Sequence, residues 1–128
     1  MKHLILIAIG GSIGAVMRYR LSKFLPQLIN TIFPIGTMAV NIIGCFFIGF
    51  FYDLFENLVI DPDHKSLITI GFLGAFTTFS TYSLETVNLI RDGEIRLCMY
   101  NVLLSNILGI IFVIAGLYSS RIMLKIIR

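Results

Sequence analysis

The chain has 128 residues, of which 57% are hydrophobic and only 13% charged, with a mean hydropathy of +0.92. A soluble domain carries about 25% charged residues, so these values exclude a water-soluble globule and fit a single integral membrane domain over residues 1–128. The net charge of +3 is ordinary for a membrane protein and gives no reason to expect nucleic acid as a partner.

A membrane span needs about 20 mostly apolar residues to cross about 30 Å of hydrocarbon. Four stretches qualify, at about residues 3–23, 34–55, 66–90 and 98–121, which predicts an all-α bundle of four transmembrane helices. The first begins with Lys2 and an apolar run and imitates a signal peptide, but further membrane segments follow it, so an uncleaved span is expected. Gly10, Gly11 and Gly14, with Ala15 beside them, allow close backbone approach to a neighbouring helix. Arg18 closes this span. It either snorkels to the interface or, if buried, needs carbonyl or carboxylate partners. Pro26-Gln27 and Asn30, followed by Pro34, mark the first loop.

The second span holds Asn41 in the stretch Gly36-Thr-Met-Ala-Val-Asn-Ile-Ile-Gly44. At 1.5 Å per residue from Pro34, Asn41 lies on the order of 10 Å into the membrane, where an amide must find partners. Two readings stay open: a hydrogen bond that glues two helices, or a donor lining an anion path. Gly44 and Gly49 are further packing positions. Cys45 and, later, Cys98 match no metal or redox spacing and read as small apolar packing residues. Asp53, Glu56, Asp61-Pro62-Asp63 and His64-Lys65 mark the second loop. His3 and His64, without ligand-spaced partners, read as solvated surface residues.

The third span carries the densest chemistry, Gly71-Phe-Leu-Gly-Ala-Phe-Thr-Thr-Phe-Ser-Thr-Tyr-Ser83. Thr77, Thr78, Ser80, Thr81 and Ser83 place five hydroxyls within seven residues. Phe79 and Tyr82, three apart, share a helix face. The flexibility of Gly71 and Gly74 suits a local unwinding just before the hydroxyls. Lipid offers no hydrogen bonds, so a broken helix survives only where protein or water satisfies the freed groups, and such breaks tend to line substrate or ion sites. Unwound carbonyls suit a hard cation such as Na⁺, while the amides and the positive end of the following half-helix suit an anion. Glu85 lies late in this span, followed by Asn88, and the sequence assigns it no role.

Arg91-Asp92-Gly93-Glu94 with Arg96 makes a short turn into the fourth span, where Gly109 and Gly116 are packing positions. Four spans put the N-terminus, second loop and C-terminus on one side. That side holds Lys2, Lys65, Arg121, Lys125 and Arg128; the other holds Arg18, Arg20, Lys23, Arg91 and Arg96. Orientation follows a Lys/Arg excess in cytoplasmic loops, and this five-to-five tally favours neither. Copies are therefore expected to insert both ways and to pair as an antiparallel, dual-topology homodimer, two-fold pairs being the commonest oligomers.

Three stretches, taken in order along the chain, resemble the Fluc/CrcB fluoride channels: Gly10-Gly-Ser-Ile-Gly-Ala-Val-Met-Arg-Tyr19, Gly36 to Gly44, and Gly71 to Ser83. The resemblance implies a passive, fluoride-selective channel of the cell membrane (the inner membrane in a Gram-negative bacterium) that lowers cytoplasmic fluoride and confers resistance. It also implies an antiparallel homodimer with two pores and a structural Na⁺ at its centre. By motif position, the Na⁺ would be held by the backbone carbonyls of Gly74 and Thr77. The fluoride path would include Asn41 and the ring edges of Phe79 and Tyr82, and Arg18 would be structural. The chain departs from the family pattern at Tyr82, where phenylalanine is usual. It departs again on the fourth span, where hydroxyls at one-turn spacing are replaced by Asn106, Ile110 and Ile114.

No Walker motif is present, which argues against coupling to ATP, and the chain is read as a non-enzyme. The rival reading is a proton-coupled small multidrug transporter, another four-span type that pairs antiparallel. Such transporters depend on a membrane-embedded Glu in the first span. Here no acidic residue precedes Asp53, and the chain has no Trp.

Overall fold

A computed structural model describes residues 1–127. Its element order is α1 (Lys2–Ile29), α2 (Ile35–Asn57), α3 (Pro62–Ser66), a π-helical segment (Leu67–Leu73), α4 (Gly74–Phe76), α5 (Phe79–Arg91) and α6 (Ile95–Ile127). Four helical units are long and apolar enough to cross a membrane: α1, α2, the interrupted Pro62–Arg91 span and α6. The chain is thus an all-α, multi-pass membrane protein. Arg128, counted in the charge tally, lies outside the described residues.

The first helix runs further than the sequence signals suggest. Pro26 sits inside its last turn rather than in a loop, and the end comes at Asn30. There φ is +46° and the backbone N–H bonds the Pro26 carbonyl at 3.0 Å. Asparagine is one of the few side chains that accept this left-handed C-terminal cap.

The third span is broken, but not where the glycines suggested. Gly71 lies within the π-helical segment and Gly74 is itself right-handed helical. The helix instead opens at Thr77, with ψ 157°, and Thr78, with φ −149° and ψ 116°. Branched at Cβ, threonine suits an extended backbone. Thr78 then restarts the helix as a side-chain N-cap, its Oγ1 accepting from the Thr81 amide at 3.3 Å. What Gly71 provides is proximity. A Cβ there would lie 2.6 Å from the Ile7 carbonyl, so its absence lets α1 cross the third span backbone to backbone. Gly10 and Gly14 face the same crossing, against Leu67 and Phe72.

A second tight crossing joins α2 and α6, where Gly49 abuts the Val113 backbone and Gly116 abuts Phe46. The two helices run parallel, since further along both, Asp53 Oδ1 accepts from Arg121 Nε at 3.0 Å. The N-terminus and the second loop meet at one end, where Asp63 bonds His3 at 2.9 Å and Lys2 at 3.5 Å. His3 is therefore a clip between the two segments and not merely a solvated side chain. His64 is exposed. Cys98 is buried and Cys45 half-buried, both free. In contrast to these crossings, α5 buries only Leu89.

Candidate functional site

The break diverts two amides from their helical partners. In an unbroken helix the Thr78 N–H would bond the Gly74 carbonyl and the Thr81 N–H the Thr77 carbonyl. Here Thr78 N–H donates to Asn41 Oδ1 at 2.8 Å, and Thr81 N–H turns to the Thr78 hydroxyl. Both carbonyls are left without their helical donors. Asn41 also returns a bond, its Nδ2 donating to the Thr78 carbonyl at 3.0 Å. One amide side chain on α2 thus clasps both polar backbone groups of a residue that is only 8% exposed.

Asn41, Gly74, Thr77 and Phe79 share an open groove of about 390 Å³ between α2 and the third span, with Cys45 and Thr78 also on its wall. Gly44 makes room for this arrangement, because a Cβ there would strike Thr77 Cγ2. Arg18 approaches the break from the other side. It is half-buried, and Nη1 lies 3.4 Å from the Thr77 carbonyl. It also lines a separate cavity with Thr37, Thr78 and Thr81.

Phe79 and Tyr82 lie side by side at the start of α5, ring centroids 5.6 Å apart and planes at 45°. Phe79 is 79% exposed. Tyr82 is not on the groove wall. It leans toward α6, where its hydroxyl accepts from Asn106 Nδ2 at 3.2 Å. Asn106, Ile110 and Ile114 are all exposed in the single chain, although Asn106 keeps its bond to Tyr82.

Sequence reasoning missed the polar ladder that ties α5 to α6. Thr86 Oγ1 donates to the Tyr82 carbonyl at 2.7 Å, Asn101 Nδ2 to Thr86 Oγ1 at 2.9 Å, and Ser105 Oγ to Asn101 Oδ1 at 3.4 Å. Asn101 is 1% exposed. The available signal was Asn101 and Ser105 one turn apart within an apolar run. Glu85 is half-buried and accepts from the Thr37 hydroxyl at 2.8 Å, while its second oxygen is buried without a hydrogen-bond partner among the described residues.

The chemistry on offer is donor N–H, ring edge and carbonyl oxygen. No cluster of three or more His, Cys, Asp or Glu side chains suited to a metal occurs among the described residues, whereas a hard cation can be held by carbonyl oxygens alone. Gly74 is open on its outer side, with only the Thr69 carbonyl, at 3.6 Å, near a would-be Cβ.

The family model for CrcB-like protein, Camphor Resistance (CrcB), matches residues 5–117. The chain belongs to the CrcB family. Curated relatives named "Fluoride-specific ion channel FluC" include one from Shewanella sp. (strain W3-18-1), 46% identical over 116 residues, 91% of this chain and 94% of the relative. Another, from Aquifex aeolicus (strain VF5), is 43% identical over 111 residues, 86% and 90% of the two chains. The CrcB match takes in the broken span, Asn41, both aromatic rings and Arg18. It also takes in the Asn101–Ser105 ladder, so all the residues that meet around the break belong to the CrcB region of the chain.

Proposed function

We propose that this protein is a passive, fluoride-selective channel of the cell membrane, working as a homodimer of oppositely inserted copies. One observation carries the reading: a mid-span break, clasped by Asn41, that frees backbone carbonyls, those of Gly74 and Thr77 among them, beside the exposed Phe79 ring and the half-buried Tyr82 ring. The names of the relatives supply the ion.

Fluoride is small and strongly hydrated, so a pore must replace its water with donors while keeping total binding modest enough for release. Aromatic rings carry a positive edge, and Phe79 and Tyr82 offer such edges without a fixed cation. Asn41 uses one of its two N–H groups on the Thr78 carbonyl and retains the other as a donor. A negative interior drives an anion outward by about 2.3 kcal/mol per 100 mV, a concentration ratio on the order of fifty-fold, so passive flow suffices to lower cytoplasmic fluoride.

The exposed face of the break supports a second copy. Gly74, Phe79, Ser80, Thr81 and Asn106 are exposed at membrane depth in the single chain, and lipid cannot satisfy polar groups there. The balanced basic residues support inverted insertion of that copy. The Gly74 and Thr77 carbonyls fit a hard cation such as Na⁺, which would supply positive charge and link two broken spans. Arg18 engages only one lone pair of the Thr77 oxygen.

The purified protein in liposomes tests this. Fast fluoride release on an F⁻ electrode, without a proton gradient and without matching Cl⁻ release, is expected. Vesicles that hold their fluoride refute the proposal.

A further inference from the structure

Tyr82 and Asn106 form a matched pair. The Asn106 amide is oriented by its own helix, since Nδ2 donates to the Val102 carbonyl at 2.7 Å. The same nitrogen therefore faces the Tyr82 oxygen as a donor, at 3.2 Å. The Tyr82 ring is thus held at both ends, by α5 at its Cβ and by α6 at its hydroxyl. Apolar packing does little of this holding, because α5 buries only Leu89. Its register against α6 rests on polar bonds, which in a membrane act as interhelical glue.

We propose that Asn106 is a positioning residue for the Tyr82 ring and acts on the fluoride path only through the Tyr82 hydroxyl. The inference rests on the channel reading above. With Asn106 removed, the Tyr82 hydroxyl loses this partner and swings toward another, taking the ring edge with it. With both partners removed, a phenyl ring has no polar tip to satisfy. Leaving one polar group of a hydrogen-bonded pair unpaired at membrane depth costs more than replacing both with apolar groups, so the two substitutions are non-additive.

The test compares fluoride efflux from liposomes carrying the wild type, Asn106→Leu, Tyr82→Phe and the double variant, each checked for intact assembly by size-exclusion chromatography. Asn106→Leu should slow efflux by about tenfold. Tyr82→Phe measures the effect of the hydroxyl alone, and the double variant should match Tyr82→Phe to within about threefold and release fluoride faster than Asn106→Leu. A merely structural Asn106 would not be rescued by Tyr82→Phe. The proposal is overturned if the double variant is as slow as Asn106→Leu, or if Asn106→Leu alone matches the wild type. Tyr82→Phe as slow as Asn106→Leu also overturns it, because the hydroxyl would then be a contact in its own right. Should Asn106→Leu fail to assemble, Asn106→Ala with and without Tyr82→Phe gives the same comparison. A wild type that releases no fluoride refutes the channel reading itself, which separates the two failures.

Discussion

Asn41→Asp isolates the two jobs of the clasp. The retained oxygen still accepts from the Thr78 amide, now 2.8 Å from Oδ1. The Nδ2 donor, 3.0 Å from the Thr78 carbonyl, is replaced by a second oxygen. The lost bond and the oxygen–oxygen contact together cost about 1–3 kcal/mol of stability, a lowering of thermal midpoint that leaves an assembled protein to assay. The effect on conduction is larger. A carboxylate within about 5 Å of a passing anion, at an effective dielectric constant of about 20, repels it by about 3 kcal/mol, or about a hundredfold in rate. Fluoride-electrode efflux from liposomes at neutral pH measures this directly. Flux within about twofold of the wild type, from a protein that still assembles, would remove Asn41 from the path and leave it as helix glue alone.

Asn41→Leu deletes both bonds and strands two polar groups of the buried Thr78; a loss of about 2–5 kcal/mol is expected, read as failure to purify as a folded species. Thr78→Val removes the N-cap of α5 at a cost of about 0.5–2 kcal/mol, whereas Thr78→Ser should keep most of the thermal stability; equal losses would discount the cap. Gly71→Ala should disrupt the α1 crossing, since its Cβ would sit 2.6 Å from a carbonyl, while Gly74→Ala meets nothing closer than 3.6 Å and should leave the single chain folded. Any defect of Gly74→Ala is then expected in dimer formation, measured by crosslinking or chromatography. Arg121→Leu leaves the Asp53 carboxylate, with a 6% exposed side chain, without its cation. Because Arg121 itself is 60% exposed, the expected loss is discounted to about 1–3 kcal/mol. Pairing it with Asp53→Asn should recover part of that loss in thermal melts.

What the sequence made legible follows from which signals are local. Span number, the close crossings at Gly10, Gly14, Gly49 and Gly116, and the shared face of Phe79 and Tyr82 depend on composition and helical period, and the structure carries all of them. The position of the break does not. Gly71 and Gly74 looked like its cause because glycine is permissive, but permissiveness also serves close packing, and here α1 claims Gly71. What opens the helix is a tertiary bargain: the Thr78 amide leaves its own helix because Asn41, a distant residue on α2, offers a better-placed oxygen. No window of sequence around Thr78 contains that oxygen. For the same reason Glu85 had no readable role until Thr37 was found beside it, and the Asn101–Ser105 ladder went unseen until α5 was docked on α6.

The clasp makes the two readings of Asn41, gluing helices and lining a path, compatible with each other. A primary amide has one acceptor oxygen and two donor hydrogens. The oxygen and one hydrogen hold Thr78, and the other hydrogen remains on a side chain that lines the groove. In the proposed channel, gluing would make lining effective: a donor fixed by two hydrogen bonds could not collapse onto a passing anion, so it would lower the cost of dehydration without becoming a trap. A flexible cation at the same depth would bind fluoride more tightly and release it more slowly. On the same proposal the ring pair would attract weakly through its edges, with the Tyr82 ring set from behind by the α5 backbone and by Asn106.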